Sequence, residues 1–407
     1  MNQKLIDIYA DLVICKGINL QKNKSVAIMT GPGTYYFARA LSKSAYRNGA
    51  LFVQVLLDDL DVLSERLKYQ DDEQLKHNPA FIKALDYEMC SEGWAYIRID
   101  NTEDRLDHAP LISEKNQIHG KAKREYSATR LKKTMRHQLP WCVVCAPGPR
   151  WARQVLGEDA TTTDLLEVLK PILLLDQEDP LDAWDEHERK LKILQQRLND
   201  LHIDSLHFKS PVTDFTIGFT PQARFIGGAE VLPDGIEFFP NLPSEELFST
   251  PDRNRANGYI TTTKGVSVLN CKTEEVRLVF KDGKVVDYSA KVGKKAMDSF
   301  FSIDEGTKRI GECALVDESS PIAQSGLFFD SGLIDENASC HIALGDGYPT
   351  CLTNGDKLTT EEALHENGCN TSLMHIDFMV GSKDMNIMAR TREGRDVQIM
   401  KMGNFTF

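Results

Sequence analysis

Glu246, Glu312, Glu336, His341, Tyr348, His375 and Asp377 gather carboxylate, imidazole and phenol groups into the second half of the sequence. Carboxylate oxygens and imidazole nitrogens are donors for divalent cations, and enough are present here to hold two ions side by side. Two such ions about 3.5–4 Å apart can share a water and lower its pKa toward neutrality, which makes the pair a hydrolytic device.

Four segments carry these residues. Pro240–Arg253 sets Glu245 and Glu246 beside Leu247 and Phe248, and taken alone it reads as an acidic surface turn. Arg309–Val316 places Glu312 within an otherwise apolar strand, where a carboxylate is costly to bury unless a cation or hydrogen bonds compensate. Asp335–Tyr348 brings three carboxylates, an imidazole and a phenol close together among small and apolar neighbours. In Ser372–Gly381, His375 and Asp377 fall on one face of a strand, because side chains alternate with period two, and together they can chelate from one side. Each histidine alone reads equally well as a satisfied core residue; four such segments in one half of the chain weigh against coincidence.

The elements that must position them follow from periodicity. In the first half, helical spacing over Leu5–Gly17, a β-like run at Ser25–Thr30, a helix over Thr34–Asn48 and an apolar strand at Ala50–Leu57 give strand, helix, strand. That order implies a right-handed crossover and a parallel sheet. Further strands are expected at Trp94–Ile99 and Trp141–Cys145, with helices over Asp72–Glu88 and Lys115–Met135. A polar helix over Pro180–Asn199, capped by Asp179 with proline in its first turn, leads into the second half. There the pattern becomes short β-like runs: Ser205–Lys209, Asp214–Phe219, Gly258–Thr263, Glu275–Lys281 and Lys284–Ser289. Lys281–Lys284 reads as a hairpin turn between the last two. The expected fold is an α/β amino-terminal domain with a mainly parallel sheet, residues 1–205, acting as scaffold or lid. An α+β, β-rich, metal-binding catalytic domain follows over residues 206–407.

Composition narrows the classes. A chain of 407 residues suits two or three domains. Its formal charge of −12, with basic runs as short as Lys121–Arg124 and Lys132–Arg136, argues against nucleic-acid binding. No apolar run suits a membrane span or a secretory signal, so a cytoplasmic protein is expected. Nine cysteines, an odd number, then read as reduced thiols, with Cys142 and Cys145 in a buried strand rather than a redox pair. Gly31-Pro32-Gly33 lies where a dinucleotide fold would place its phosphate loop. It lacks the third glycine, and Pro32 removes an N–H donor, which argues against a nucleotide cofactor.

The strings PNLPSEELFSTPDR, GECALV, DENASCHIALGDGY and MHIDFMVGS resemble the motifs of the thermophilic metalloaminopeptidases, the M29 family that includes aminopeptidases T and S. A looser resemblance runs through the first half, in YADLVICKGINLQKNKSVAI, FARALSKSAYRNGA and DPLDAWDEHERKL. The resemblance implies a homodimer that removes the amino-terminal residue from short peptides with free amino termini, using two divalent metal ions per chain. It also implies that Glu246 and Glu312 bind one metal and that Glu312 bridges to a second held by Glu336, His341, His375 and Asp377. Tyr348 is similar to the family's active-site tyrosine. The partition of ligands between the metals stays open, as does Glu246 against Glu245, which rests on aligning SEE with the family's TEE. Pro211–Phe215 departs from the family pattern and Gly218–Ile226 lacks a tryptophan often found there; neither stretch supplies a ligand.

Zinc, cobalt, manganese and magnesium all accept such donors. Glu245 and Asp335 are candidates for a nonligating general base. Among competing readings, a serine hydrolase lacks a GxSxG elbow, and Cys340 beside His341 cannot pair with it, since neighbours on a strand point apart. A noncatalytic metal- or peptide-binding protein on the same scaffold is the alternative from another class.

Overall fold

The computed structural model describes residues 2–106, 114–269 and 271–407. Its contacts cluster into two compact units, residues 1–186 with 229–243, and residues 187–228 with 244–407.

The first unit is built on a parallel sheet. Strands β1 (Val26–Thr30), β2 (Val53–Leu57), β3 (Ala95–Ile99) and β4 (Trp141–Val144) join Asn241–Leu242 in the order β2, β1, β3, β4, Asn241–Leu242. All four neighbouring pairs run parallel, as the strand, helix, strand pattern requires. The expected helix over Asp72–Glu88 is two helices, Asp72–Lys76 and Ala80–Ser91. Between them lies Asn78-Pro79, and the residue before a proline is driven out of the helical region. Cys142 and Cys145 are buried core residues. The Gly31–Gly33 loop is filled from within. Gly33 N–H donates to Asp104 Oδ1 at 2.8 Å, and a Cβ on Gly31 would lie 1.9 Å from Asp104 Oδ2. The space a phosphate would need is thus occupied by the chain's own carboxylate.

The second unit is β-rich. One sheet is eight-stranded and antiparallel, in the order Lys284–Ser289, Arg277–Lys281, Ala256–Thr261, Thr213–Gly218, Ile203–Ser210, Asn386–Thr391, Asp396–Lys401 and Asn404–Phe405. The Lys281–Lys284 hairpin turns through Asp282 at φ 49° and Gly283 at φ 80°, the left-handed pair that matches strand twist. Phe208, Phe215, Phe280, Phe300 and Phe378 are fully or almost fully buried in a continuous apolar core.

The other large sheet contains β5 (Glu246–Ser249), β6 (Ile310–Val316), β7 (His341–Gly345) and β8 (His375–Met379), antiparallel in that order. It carries the candidate site.

Candidate metal centre

Register decides which side chains share a face. Phe248 pairs with Ala314 and Glu246 with Val316, so Glu246 and Phe248 lie on the side of Ala314. Ala314 pairs with His341 and His341 with Met379; Glu312 pairs with Ala343 and Ala343 with Asp377; Gly345 pairs with His375. Cβ atoms in register across a sheet point the same way, so Glu246, Glu312, His341, His375 and Asp377 all project from one face. Ala314, Ala343 and Gly345 share that face and keep the space between the long side chains clear.

Two glycines make this register possible. Gly311 is the extra residue of a bulge in β6, and a Cβ there would lie 2.1 Å from Asp346 O. Gly345 sits at φ 113°, and a Cβ on it would lie 2.0 Å from Met374 O.

The side chains converge. His341 Nε2 is 3.2 Å from Glu246 Oε2, 3.9 Å from Glu312 Oε1 and 3.8 Å from Asp377 Oδ1. His375 Nε2 is 3.0 Å from Glu312 Oε2 and 3.4 Å from Asp377 Oδ1. Potential ligand atoms of Glu246, Glu312 and His341 lie within 4.8 Å of one another, and so do those of Glu312, His375 and Asp377. Glu312 belongs to both groups. Glu336 stands in the turn after Gly332–Asp335, outside these two groups yet inside the field of Glu246, Asp377, His341 and Glu312.

Each histidine has its outer nitrogen anchored on the backbone. His341 Nδ1 is 3.1 Å from Ser339 O, and His375 Nδ1 is 2.7 Å from Asp346 O. An Nδ1–H donated to a carbonyl leaves the Nε2 lone pair aimed at the carboxylates, which is how a ligating imidazole is oriented. Lone pair then faces anionic oxygen, and only a proton or a metal ion between them relieves the repulsion.

The electrostatics of these side chains express that need. Burial raises the Glu312 carboxyl, which His375 only partly offsets, and burial with the charges of Glu246 and Asp377 pushes Glu336 far above its usual range. Burial works against a charged His341, but Glu246, Asp377 and Glu312 outweigh it and lift the imidazole to about 10. His375 is likewise raised despite burial, by Tyr348, Asp377 and Glu312. Burial alone would raise Asp377, but His375 and His341 hold it below its usual value. Glu246 Oε2 and Asp377 Oδ1 are buried without a hydrogen bond. Orphaned carboxylate oxygens beside aimed imidazoles are a donor set that fits a divalent cation.

Tyr348 borders this cluster. Its ring packs edge-on against His375 at 5.1 Å between centroids and against Phe248 at 5.4 Å. The His375 charge lowers the phenol pKa, but burial and the carboxylates Glu312, Asp377 and Glu336 raise it by more, so the hydroxyl keeps its proton.

The remaining candidates separate cleanly. Asp335 accepts backbone N–H bonds from Phe329 and Ser331, both at 2.9 Å, which commits both oxygens to shaping a turn. Glu245 Oε2 lies 3.7 Å from His187 Nε2, and its backbone N–H donates to Asn337 Oδ1 at 2.7 Å. Cys340 turns its thiol to the Val316 backbone, 3.4 Å from both N and O, and to Met400, away from a role as nucleophile to His341. Sequence reasoning missed the backbone anchors Ser339 and Asp346 and the glycines at 311 and 345; His341 and His375 give no local sign of the carbonyls they bind.

The chain has known relatives over its full length. A family model described as Thermophilic metalloprotease (M29) matches residues 2–405. Aminopeptidase 2 of Geobacillus stearothermophilus is 33% identical over 411 residues, covering 100% of this chain and 98% of that protein. Aminopeptidase PepS of Streptococcus thermophilus is 34% identical over 405 residues, with coverage of 98% and 97%. Aminopeptidase T of Thermus thermophilus is 32% identical over 399 residues, with coverage of 97% on both sides. The solved structure of wild-type AmpT from Thermus thermophilus superposes with a TM-score of 0.90 at 30% identity, covering 100% of both chains.

Proposed function

Since the chain belongs to the M29 metallopeptidase family and is a metalloaminopeptidase, we propose that it removes the amino-terminal residue from short peptides at a site for two divalent cations. The observation that carries this reading is the position of Glu312, whose oxygens fall within reach of Glu246 and His341 on one side and of His375 and Asp377 on the other. Glu246, Glu312, Glu336, His341, His375 and Asp377 hold the ions. Bound divalent metal supplies a Lewis acid for the scissile carbonyl and the free α-amine, and a water of lowered pKa.

The chain's own groups do the rest. Tyr348, protonated and packed on His375, donates its O–H to the carbonyl oxygen as negative charge develops there. Of the two candidate bases, Asp335 is held by two backbone amides and Glu245 turns to His187 instead of the donor cluster, so proton transfer toward the leaving amine is assigned to neither. Catalysis belongs to residues 206–407, where every donor lies, and residues 1–205 form the scaffold or lid. The reading includes a homodimer, as the family resemblance implies, and a cytoplasmic setting in which the nine free thiols stay reduced.

Hydrolysis of a leucyl peptide beside its amino-terminally acetylated form tests this. Cleavage of the free-amine substrate alone, lost on chelation and restored by zinc, cobalt or manganese, is the expected result. Stoichiometric metal without turnover on a broad peptide panel would favour a binding protein instead.

A further inference from the structure

Tyr348 is held by one hydroxyl at two points. Thr250 Oγ1 accepts the Tyr348 N–H at 2.9 Å and donates its own proton to the Tyr348 carbonyl at 2.9 Å, a carbonyl that also accepts from Cys351 N–H at 3.0 Å. Thr250 is 1% exposed, so no solvent stands ready to replace it. It follows directly on β5, and Glu246, Phe248 and Thr250 occupy alternate positions along that run. A candidate ligand, the ring that packs on Tyr348 and the hydroxyl that clamps its backbone therefore come from one face of one strand.

An extended chain advances roughly 3.3 Å per residue. The strand thus fixes how far the Tyr348 backbone stands from Glu246, while the Phe248 and His375 rings fix the direction of its side chain. We propose that Thr250 is a positioning residue: its doubly engaged hydroxyl sets the Tyr348 phenol in place against the metal ligands. This rests on the role given to Tyr348 above. A serine can make both bonds; valine has the same shape and makes neither.

Four variants and two kinds of readout test it. Thr250→Val is expected to lower kcat on a leucyl peptide about tenfold to a hundredfold, as a small misplacement of a catalytic group does, with KM and bound metal unchanged. Thr250→Ser is expected to recover most of the rate. Tyr348→Phe is expected to be slow, and adding Thr250→Val to it is expected to cost little more, because a positioning effect vanishes once the group positioned has gone. Independently of turnover, hydrogen exchange at the Tyr348 amide in the metal-free protein should quicken in Thr250→Val, where its acceptor is missing, and not in Thr250→Ser.

A slow Tyr348→Phe with a normal Thr250→Val overturns the positioning role alone, as does a full additive loss in the double variant or a loss of bound metal. A normal rate in Tyr348→Phe overturns the role of Tyr348 and this proposal with it. If Thr250→Val fails to fold, Thr250→Ser and Thr250→Ala decide by the same kcat, KM and exchange readouts.

Discussion

His375 faces Glu312 with Nε2 3.0 Å from Oε2, while its other ring nitrogen lies 2.7 Å from the Asp346 carbonyl. The imidazole cannot turn away without breaking the second contact, so the two residues form a fixed pair of donors. Glu312→Gln keeps the shape and removes the charge; His375→Ala removes the nitrogen. Each is expected to lower turnover by more than about a hundredfold, beyond the loss typical of residues that merely orient a ligand, and to reduce bound metal with the fold intact. Kinetics with elemental analysis and circular dichroism check this, and a near-normal rate would remove the residue from the mechanism.

Four carboxylates, Glu246, Glu312, Glu336 and Asp377, lie within one another's electrostatic field. Chelation should therefore lower the melting temperature as well as abolish activity. A free ion at about a hundred times its dissociation constant stabilises the folded state by about 2.7 kcal/mol. Scanning calorimetry with chelator and with each added metal reads the shift; identical transitions would mean that the folded protein does not bind the ion.

Asn337 ties together two segments that carry candidate ligands. Its Oδ1 accepts the Glu245 N–H at 2.7 Å beside Glu246, and its Nδ2 donates to Leu333 O at 3.0 Å, just ahead of Glu336. Asn337→Ala is expected to weaken metal affinity about ten- to a hundredfold, with kcat near normal once metal is saturating. Competition against a chelator of known affinity measures this, and unchanged affinity would refute the link.

Gly345→Ala should be severe. Its Cβ would lie 2.0 Å from Met374 O at a backbone angle of φ 113°, on the strand position paired with His375. Destabilisation of more than about 2 kcal/mol is expected from backbone incompatibility. Urea unfolding gives the number, and an unchanged midpoint would show that the two strands part freely.

Much of this was readable from residues alone, for definite reasons. Alternation placed His375 and Asp377 on one face of a strand, and the pairing of Gly345 and Ala343 with them shows that face. The cost of a carboxylate among apolar neighbours singled out Glu312, which is 4% exposed. The parallel sheet followed from the strand, helix, strand pattern around β1 and β2. What stayed hidden depends on distant partners. Nothing within β6 says that β5 and β7 flank it, nor that Gly311 must bulge past Asp346. The Asp72–Glu88 helix failed at a local signal, Asn78-Pro79, that apolar periodicity had outweighed. Asp104 in the Gly31–Gly33 loop gives no sign in its own neighbourhood that it fills a turn formed far earlier in the chain.

The donors run from Glu246 to Asp377, and only two pairs, Glu336 with His341 and His375 with Asp377, are near neighbours along the sequence. An unfolded or half-made chain can therefore offer an ion at most a two-point grip. If these residues hold the ions, high affinity requires β5, β6, β7 and β8 to have zipped together, so loading would follow assembly instead of seeding it. Refolding rates should then be indifferent to added metal even though unfolding rates are not.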